Sequence, residues 1–110
     1  MPKRRDSLLR EDILDAARKI RSYLADMDAK KFLSDAKTID AVVRNLEVIG
    51  EAARMMSAEA RALHPKVPWT QVVGLRHRIV HEYFGIDPAL VWQIASVDVP
   101  ELEKSLSGSW

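Results

Sequence analysis

The residues whose types and spacing best suit chemistry lie in one run, Gly74-Leu75-Arg76-His77-Arg78-Ile79-Val80-His81-Glu82-Tyr83-Phe84-Gly85. It holds two of the three histidines and one of the two tyrosines of the chain. With Arg76 at the origin of a helical wheel, Trp69, Val72, Val73, Leu75, Ile79, Val80 and Tyr83 fall within about 100° on either side. Arg76 is therefore expected in the middle of an apolar stripe. An unpaired guanidinium is very costly there, so it needs an anionic partner, a polar cleft or a second subunit. Two readings follow: a structural arginine paired to a core carboxylate such as Glu51, or an anion-binding arginine at the floor of a cleft.

His77 and His81 stand at i and i+4 on the polar side of the same predicted helix, with Gly74 one turn before His77. A helical glycine is unfavourable relative to alanine, and its presence suggests close approach of a ligand or a partner backbone. Two imidazoles one turn apart can hold zinc. Position 78, however, is arginine where the zincin motif has glutamate, no further ligands are evident, and Arg76 and Arg78 repel a cation. No metal or other cofactor is expected. His81 lies about 140° from Arg76 on an ideal wheel. To serve one phosphate together, either the helix bends or ends near His81, as Gly85 hints, or the site is completed across a two-fold axis.

Helices are expected to position this segment. The first should open near Asp6 or Ser7 and reach about Met27, with Leu9, Ile13, Ala16, Ala17, Ile20, Leu24 and Met27 at helical spacing. A short turn around Lys30 to Leu33 precedes a second long helix, from Ser34 or Asp35 to about Met56. That helix carries one wide stripe (Ile39, Val42, Val43, Leu46, Ile49, Ala53, Met56) and a second on roughly the opposite side (Ala41, Val48, Ala52, Met55). A charged ladder of Asp40, Arg44, Glu47, Glu51 and Arg54 runs between them. Two stripes mean a helix central to the bundle or one meeting another subunit. A brief helix from Ser57 to Leu63 leads into His64-Pro65-Lys66-Val67-Pro68. The third main helix is predicted from Pro68-Trp69 to about Tyr83, ended by Gly85. Asp87-Pro88 should open a fourth helix to about Ser96, and Pro100 a last one through Leu106. No stretch alternates with period two for long enough to be a strand. The expected fold is all-α, a single-domain antiparallel helical bundle over residues 1–110 with about four main helices plus short ones.

With 110 residues there is room for one core, and a dimer would add buried area. A 47% hydrophobic and 30% charged chain reads as globular, and its net charge of +1 decides nothing about nucleic acid. The absence of cysteine excludes disulfides and thiolate chemistry. No apolar run has membrane-span length, and a cytoplasmic location is expected. Lys3-Arg4-Arg5 and Arg10 read either as a solvated terminus or as an extension of a positive track; His64 reads as a loop residue, and Trp69 and Trp92 as core.

Arg76-x4-His81-x-Tyr83 resembles the R-x4-6-H motif of HEPN-domain ribonucleases, in the longer R-x4-H-x-Y form of HepT-like toxins. Ile49-Gly50-Glu51-Ala52, Pro65-x-x-Pro68-Trp69 and Tyr83-Phe84-Gly85-Ile86-Asp87 followed by Val91-Trp92 resemble that family in the same order, so the likeness runs from about Ser7 to Leu106. His77 departs from it, since many relatives carry asparagine after the arginine. The resemblance implies a homodimer whose motif helices line one cleft, and metal-independent RNA cleavage there. It assigns His81 as general acid and base and Arg76 as the group stabilising the scissile phosphate, with His77 and Arg78 on the flanking RNA backbone. It also implies a cognate MntA-type nucleotidyltransferase antitoxin that adenylylates Tyr83. The rival is a non-catalytic helical subunit that uses Arg76 and Tyr83 to dock such a nucleotidyltransferase.

Overall fold

The computed structural model describes residues 4–81 and 85–108, and of His81 the backbone alone. Two long helices form the frame: α1 (Arg4–Leu24) and α3 (Ala36–Met55), packed along much of their lengths. Their stripes are those expected. Ile13, Ala17 and Ile20 of α1 and Val42, Leu46, Ile49 and Ala53 of α3 are fully buried. The pair is antiparallel, because Asp6 at the start of α1 meets Ser57 beyond the end of α3. The buried Asp6 carboxylate accepts from the Ser57 N–H at 2.9 Å and from its hydroxyl at 2.8 Å.

The helix limits follow from local chemistry. Past α1, Asp26 adopts φ 64°, a left-handed conformation that aspartate tolerates. Asp28 then caps α2 (Ala29–Leu33) by accepting from the Lys31 N–H at 2.8 Å. Asp35 caps α3 through the Thr38 N–H at 3.1 Å, and this bond, with that from the Thr38 hydroxyl, holds its carboxyl below the ordinary value. Ser57 caps α4 (Ala58–Ala62) by accepting from the Ala60 N–H at 3.0 Å.

The third expected helix is not one helix. It consists of α5 (Trp69–Val73) and α6 (Leu75–Ile79), interrupted at Gly74 and finished four residues short of Tyr83. Val80 is extended, and a two-residue antiparallel ladder pairs Val80 with Ile86 and His81 with Gly85 (β1, Val80–His81; β2, Gly85–Ile86). The Ile79 carbonyl accepts from the Asp87 N–H at 2.8 Å, so it is not available to continue a helix. Gly85 has φ 72°, a backbone conformation that glycine adopts without steric cost.

Asp87 caps α7 (Pro88–Gln93) through the Leu90 N–H, with Pro88 in the first turn as expected. The break expected at Pro100 is absent. A π turn, Ile94–Asp98, joins α7 directly to α8 (Val99–Leu106). Pro100 has no N–H for the Ser96 carbonyl, and the ladder slips by one residue: the Val99 N–H donates to the Ile94 carbonyl, five residues back. Trp92 is half-buried against the core, with its ring centroid 5.3 Å from that of Phe32 of α2. Trp69 is likewise half-buried, and its indole N–H donates to the carbonyls of Arg61 and His64, each at 3.0 Å.

Candidate active site

The close approach that positions the motif segment occurs at Gly50 of α3. A Cβ there would lie 3.3 Å from the Val72 carbonyl oxygen and 3.7 Å from that of Val73, so any other residue would push the α5 backbone back from α3. At Gly74 such an atom would lie 3.3 Å from the Thr70 carbonyl oxygen and 3.8 Å from that of Gln71, both in the preceding turn of its own segment. Among the described residues no other element makes the close approach expected at Gly74. Gly74 marks the interruption between α5 and α6 instead.

That interruption corrects the expected burial of Arg76. The wheel assumed one continuous helix. In α6 the buried residues are Leu75 and Ile79, one turn apart, and Arg76 sits on the flank with its side chain 71% exposed. Its guanidinium lies 3.7 Å from the carboxylate of Glu47 on α3, which is also solvent-reachable. Such an exposed pair is weak, and solvent or an entering anion can compete for the guanidinium. Glu51, the carboxylate considered from sequence, is held by Arg54 through two contacts at 2.6 and 3.1 Å. The Arg54 hydrogen bond keeps the Glu51 carboxyl below its ordinary value and raises that of the guanidinium.

Arg76 and the exposed His77 border an open groove of about 540 Å³ between α1, α3 and the α5–α6 segment. Its α3 wall is the charged ladder (Arg44, Glu47, Glu51, Arg54) together with part of the second apolar stripe, Val48, Ala52 and Met55. Within this chain that stripe is thus partly open to solvent, neither a fully central face nor a fully free one. Three arginines and three carboxylates (Asp12, Glu47, Glu51) line the groove.

Arg78 is set apart from Arg76 and His77. It pairs with Asp98 at 3.5 Å over a second, more apolar cavity of about 270 Å³ between α5, α6 and α8. The backbone of His81 lies two residues past the end of α6, so the 140° separation expected on a continuous wheel does not apply; of the alternatives raised by that angle, the helix ends before His81. The side chain of His81 and the whole of Tyr83 lie outside the described residues. Because α6 stops at Ile79, the continuous helical phase expected to set Tyr83 on the Arg76 face does not extend that far.

Arg10 does not contribute to a positive track. Its Nε donates to the Leu106 carbonyl at 2.9 Å and its Nη2 to that of Gly108 at 2.5 Å, which satisfies the C-terminal end of α8. Arg4 and Arg5 are exposed on the first turn of α1, and Lys3 lies outside the described residues. Among the described residues no three His, Asp or Glu side chains converge as the ligands of an ion would, and no helix is long and apolar enough to cross a membrane. From the sequence, Arg44 and Glu47 read only as members of a charged ladder, and Gly50 carried no packing role. The signal for Arg44 and Glu47 was their phase on α3, on the ladder that flanks the second stripe; Gly50 falls on the first, buried stripe, where a glycine marks a close approach.

Residues 13–107 match a family described as Ribonuclease HepT-like. A protein of Methanocaldococcus jannaschii provisionally named an RNase is 41% identical over 95 residues, which cover 86% of this chain and 87% of that one. One of Thermococcus cleftensis, provisionally named ribonuclease HepT, is 37% identical over 93 residues and 84% of each chain. A third, of Caldanaerobacter subterraneus subsp. tengcongensis and provisionally named an RNase, is 35% identical over 96 residues, 87% of this chain and 86% of the other. No solved structure matches the chain.

Proposed function

This chain belongs to the HepT-like ribonuclease family, and from that premise we propose that it is a metal-independent endoribonuclease whose site is built around Arg76 and His81. The observation that carries the reading is the position of Arg76: a solvent-reachable guanidinium on an open groove, beside a carboxylate that a phosphate can replace. RNA supplies its own nucleophile. The 2′-hydroxyl gives its proton to the His81 imidazole and its oxygen attacks phosphorus. The 5′-oxygen of the next nucleotide leaves and takes a proton, so the products are a 2′,3′-cyclic phosphate and a 5′-hydroxyl. Arg76 holds the non-bridging oxygens as charge develops on them.

His77, on the same groove, is the flanking backbone contact. Arg78, on the other side of α6, would meet only a strand that wraps past the helix. Two protomers meeting with their motif segments adjacent would join their grooves into one cleft and cover the half-open stripe of α3. In the same reading the protein is the toxin of a cytoplasmic toxin–antitoxin pair. Its partner, an MntA-type nucleotidyltransferase, silences it by attaching AMP to Tyr83, which adds phosphate charge and bulk at the RNA path.

The deciding experiment is RNA cleavage in EDTA with end-group analysis, wild type beside His81→Ala. We expect wild-type activity without divalent metal, cyclic phosphate ends, and a loss of about 10²–10⁴ in rate for the variant. Cleavage that stops with chelator, or that leaves 3′-hydroxyl ends, would overturn this mechanism. A wild type that cleaves no RNA would leave a docking subunit as the better reading.

A further inference from the structure

The groove has a second wall whose charges the motif does not include. Of its three arginines, Arg54 is held by two contacts to Glu51, and Arg76 faces Glu47. Arg44 is exposed, and among the described residues it makes no ion pair. Glu47 lies three positions further along α3, on the neighbouring turn and about 4.5 Å up the axis. Its carboxylate is nevertheless turned to Arg76 rather than to Arg44. With three carboxylates against three arginines, the groove as a whole offers a polyanion little net attraction. What it offers is one guanidinium not already committed to a neighbour, next to the pair that an incoming phosphate would open.

From this we infer that Arg44 is a substrate-binding residue, which holds an RNA backbone phosphate adjacent to the one at Arg76 from the α3 side of the groove. Arg44 touches a neighbouring phosphate and not the reacting atoms, so it sets affinity and the path of the strand. Val48 and Met55, half-buried and exposed along the same wall, give the bases an apolar surface beside the charged backbone. The inference rests on the ribonuclease reading above, and its test separates the two.

The test is binding of a short 2′-O-methyl oligoribonucleotide of mixed sequence, which lacks the nucleophile and stays intact, titrated over a range of salt. Wild type is compared with Arg44→Gln and Arg44→Lys, and the oligomeric state of each is measured. Arg44→Gln is expected to weaken binding roughly three- to tenfold at low salt and to flatten the slope of log affinity against log salt by about 0.7, the value for one phosphate contact on a single strand. Arg44→Lys should keep most of both. On cleavable RNA, Arg44→Gln should raise KM and leave kcat nearly unchanged. Wild-type affinity and slope in Arg44→Gln would overturn the inference and leave the ribonuclease reading standing. So would a variant that changes subunit association and not the slope, since Arg44 would then belong to a protein contact. If wild type does not bind the oligonucleotide at all, the ribonuclease reading fails and this inference fails with it.

Discussion

The α1–α3 pair and the segment from Trp69 to Ile86 lie side by side and are built on opposite terms. The pair consists of helices of 21 and 20 residues, each with an unbroken buried stripe, pinned at one end by Asp6 on Ser57. Among its described residues the segment holds two five-residue helices and a two-residue ladder. No helix so short is stable by itself in water, so its shape is imposed by what it leans on. It leans on α3 at Gly50. The difference separates two duties. The pair supplies the buried surface that keeps the chain folded, and the segment supplies exposed side chains whose placement is borrowed from the pair.

The largest effect that tests this division is on chemistry alone. Arg76→Ala should lower RNA cleavage by about 10²–10³. Its folding stability should stay within about 0.5 kcal/mol of wild type, because the pair with Glu47 is exposed and screened. A large fall in melting temperature would mean that the segment is part of the frame. Next comes the seam between the regions. Gly50→Val puts a branched side chain where even a Cβ meets backbone at 3.3 Å, and should destabilise by about 2–3 kcal/mol. It should also lower cleavage well below the melting transition, because α5 and α6 must move off α3. Denaturant unfolding and cleavage at low temperature measure the two effects, and a variant that loses stability with full activity would uncouple seam from site. The smallest effect is expected at Arg78→Ala. It breaks the 3.5 Å pair with Asp98, a partly exposed contact whose loss should cost under about 1 kcal/mol, and it should raise KM less than His77→Ala does.

The same division explains what the sequence could tell. The long helices were legible because a buried stripe repeats over five or more turns, and the caps Asp35, Ser57 and Asp87-Pro88 mark where α3, α4 and α7 begin. The segment was legible as the place of the chemistry, from its residue types, but not in its geometry. A wheel drawn through Gly74 accumulates phase that the real chain resets, and so it put Arg76 in the core. The end of α6 depends on a bond from the Asp87 N–H to the Ile79 carbonyl, a contact between residues eight apart that no local pattern announces. Glu47 stood on the same ladder as Glu51, the carboxylate considered for Arg76. The choice between them was made by Arg54, one turn beyond Glu51, and by the approach at Gly50. At Pro100 the local rule for starting a helix gave way to a π turn that keeps one continuous helix in contact with α1.

The bonds from Arg10 to the carbonyls of Leu106 and Gly108 also fix an order of events during synthesis. They join residues 96 and 98 positions apart, so the clasp waits until nearly all of the described chain has been made. The α1–α3 pair needs nothing beyond Ser57 to make its end contact, and every residue lining the groove has been made once His77 has emerged. The residues that line the groove are therefore all made before α8, which buries Val99, Leu102 and Leu106 against the rest of the core. Until then the apolar surface that α8 covers stays open, and a chain cut before residue 99 would hold every groove residue on an unfinished and aggregation-prone body.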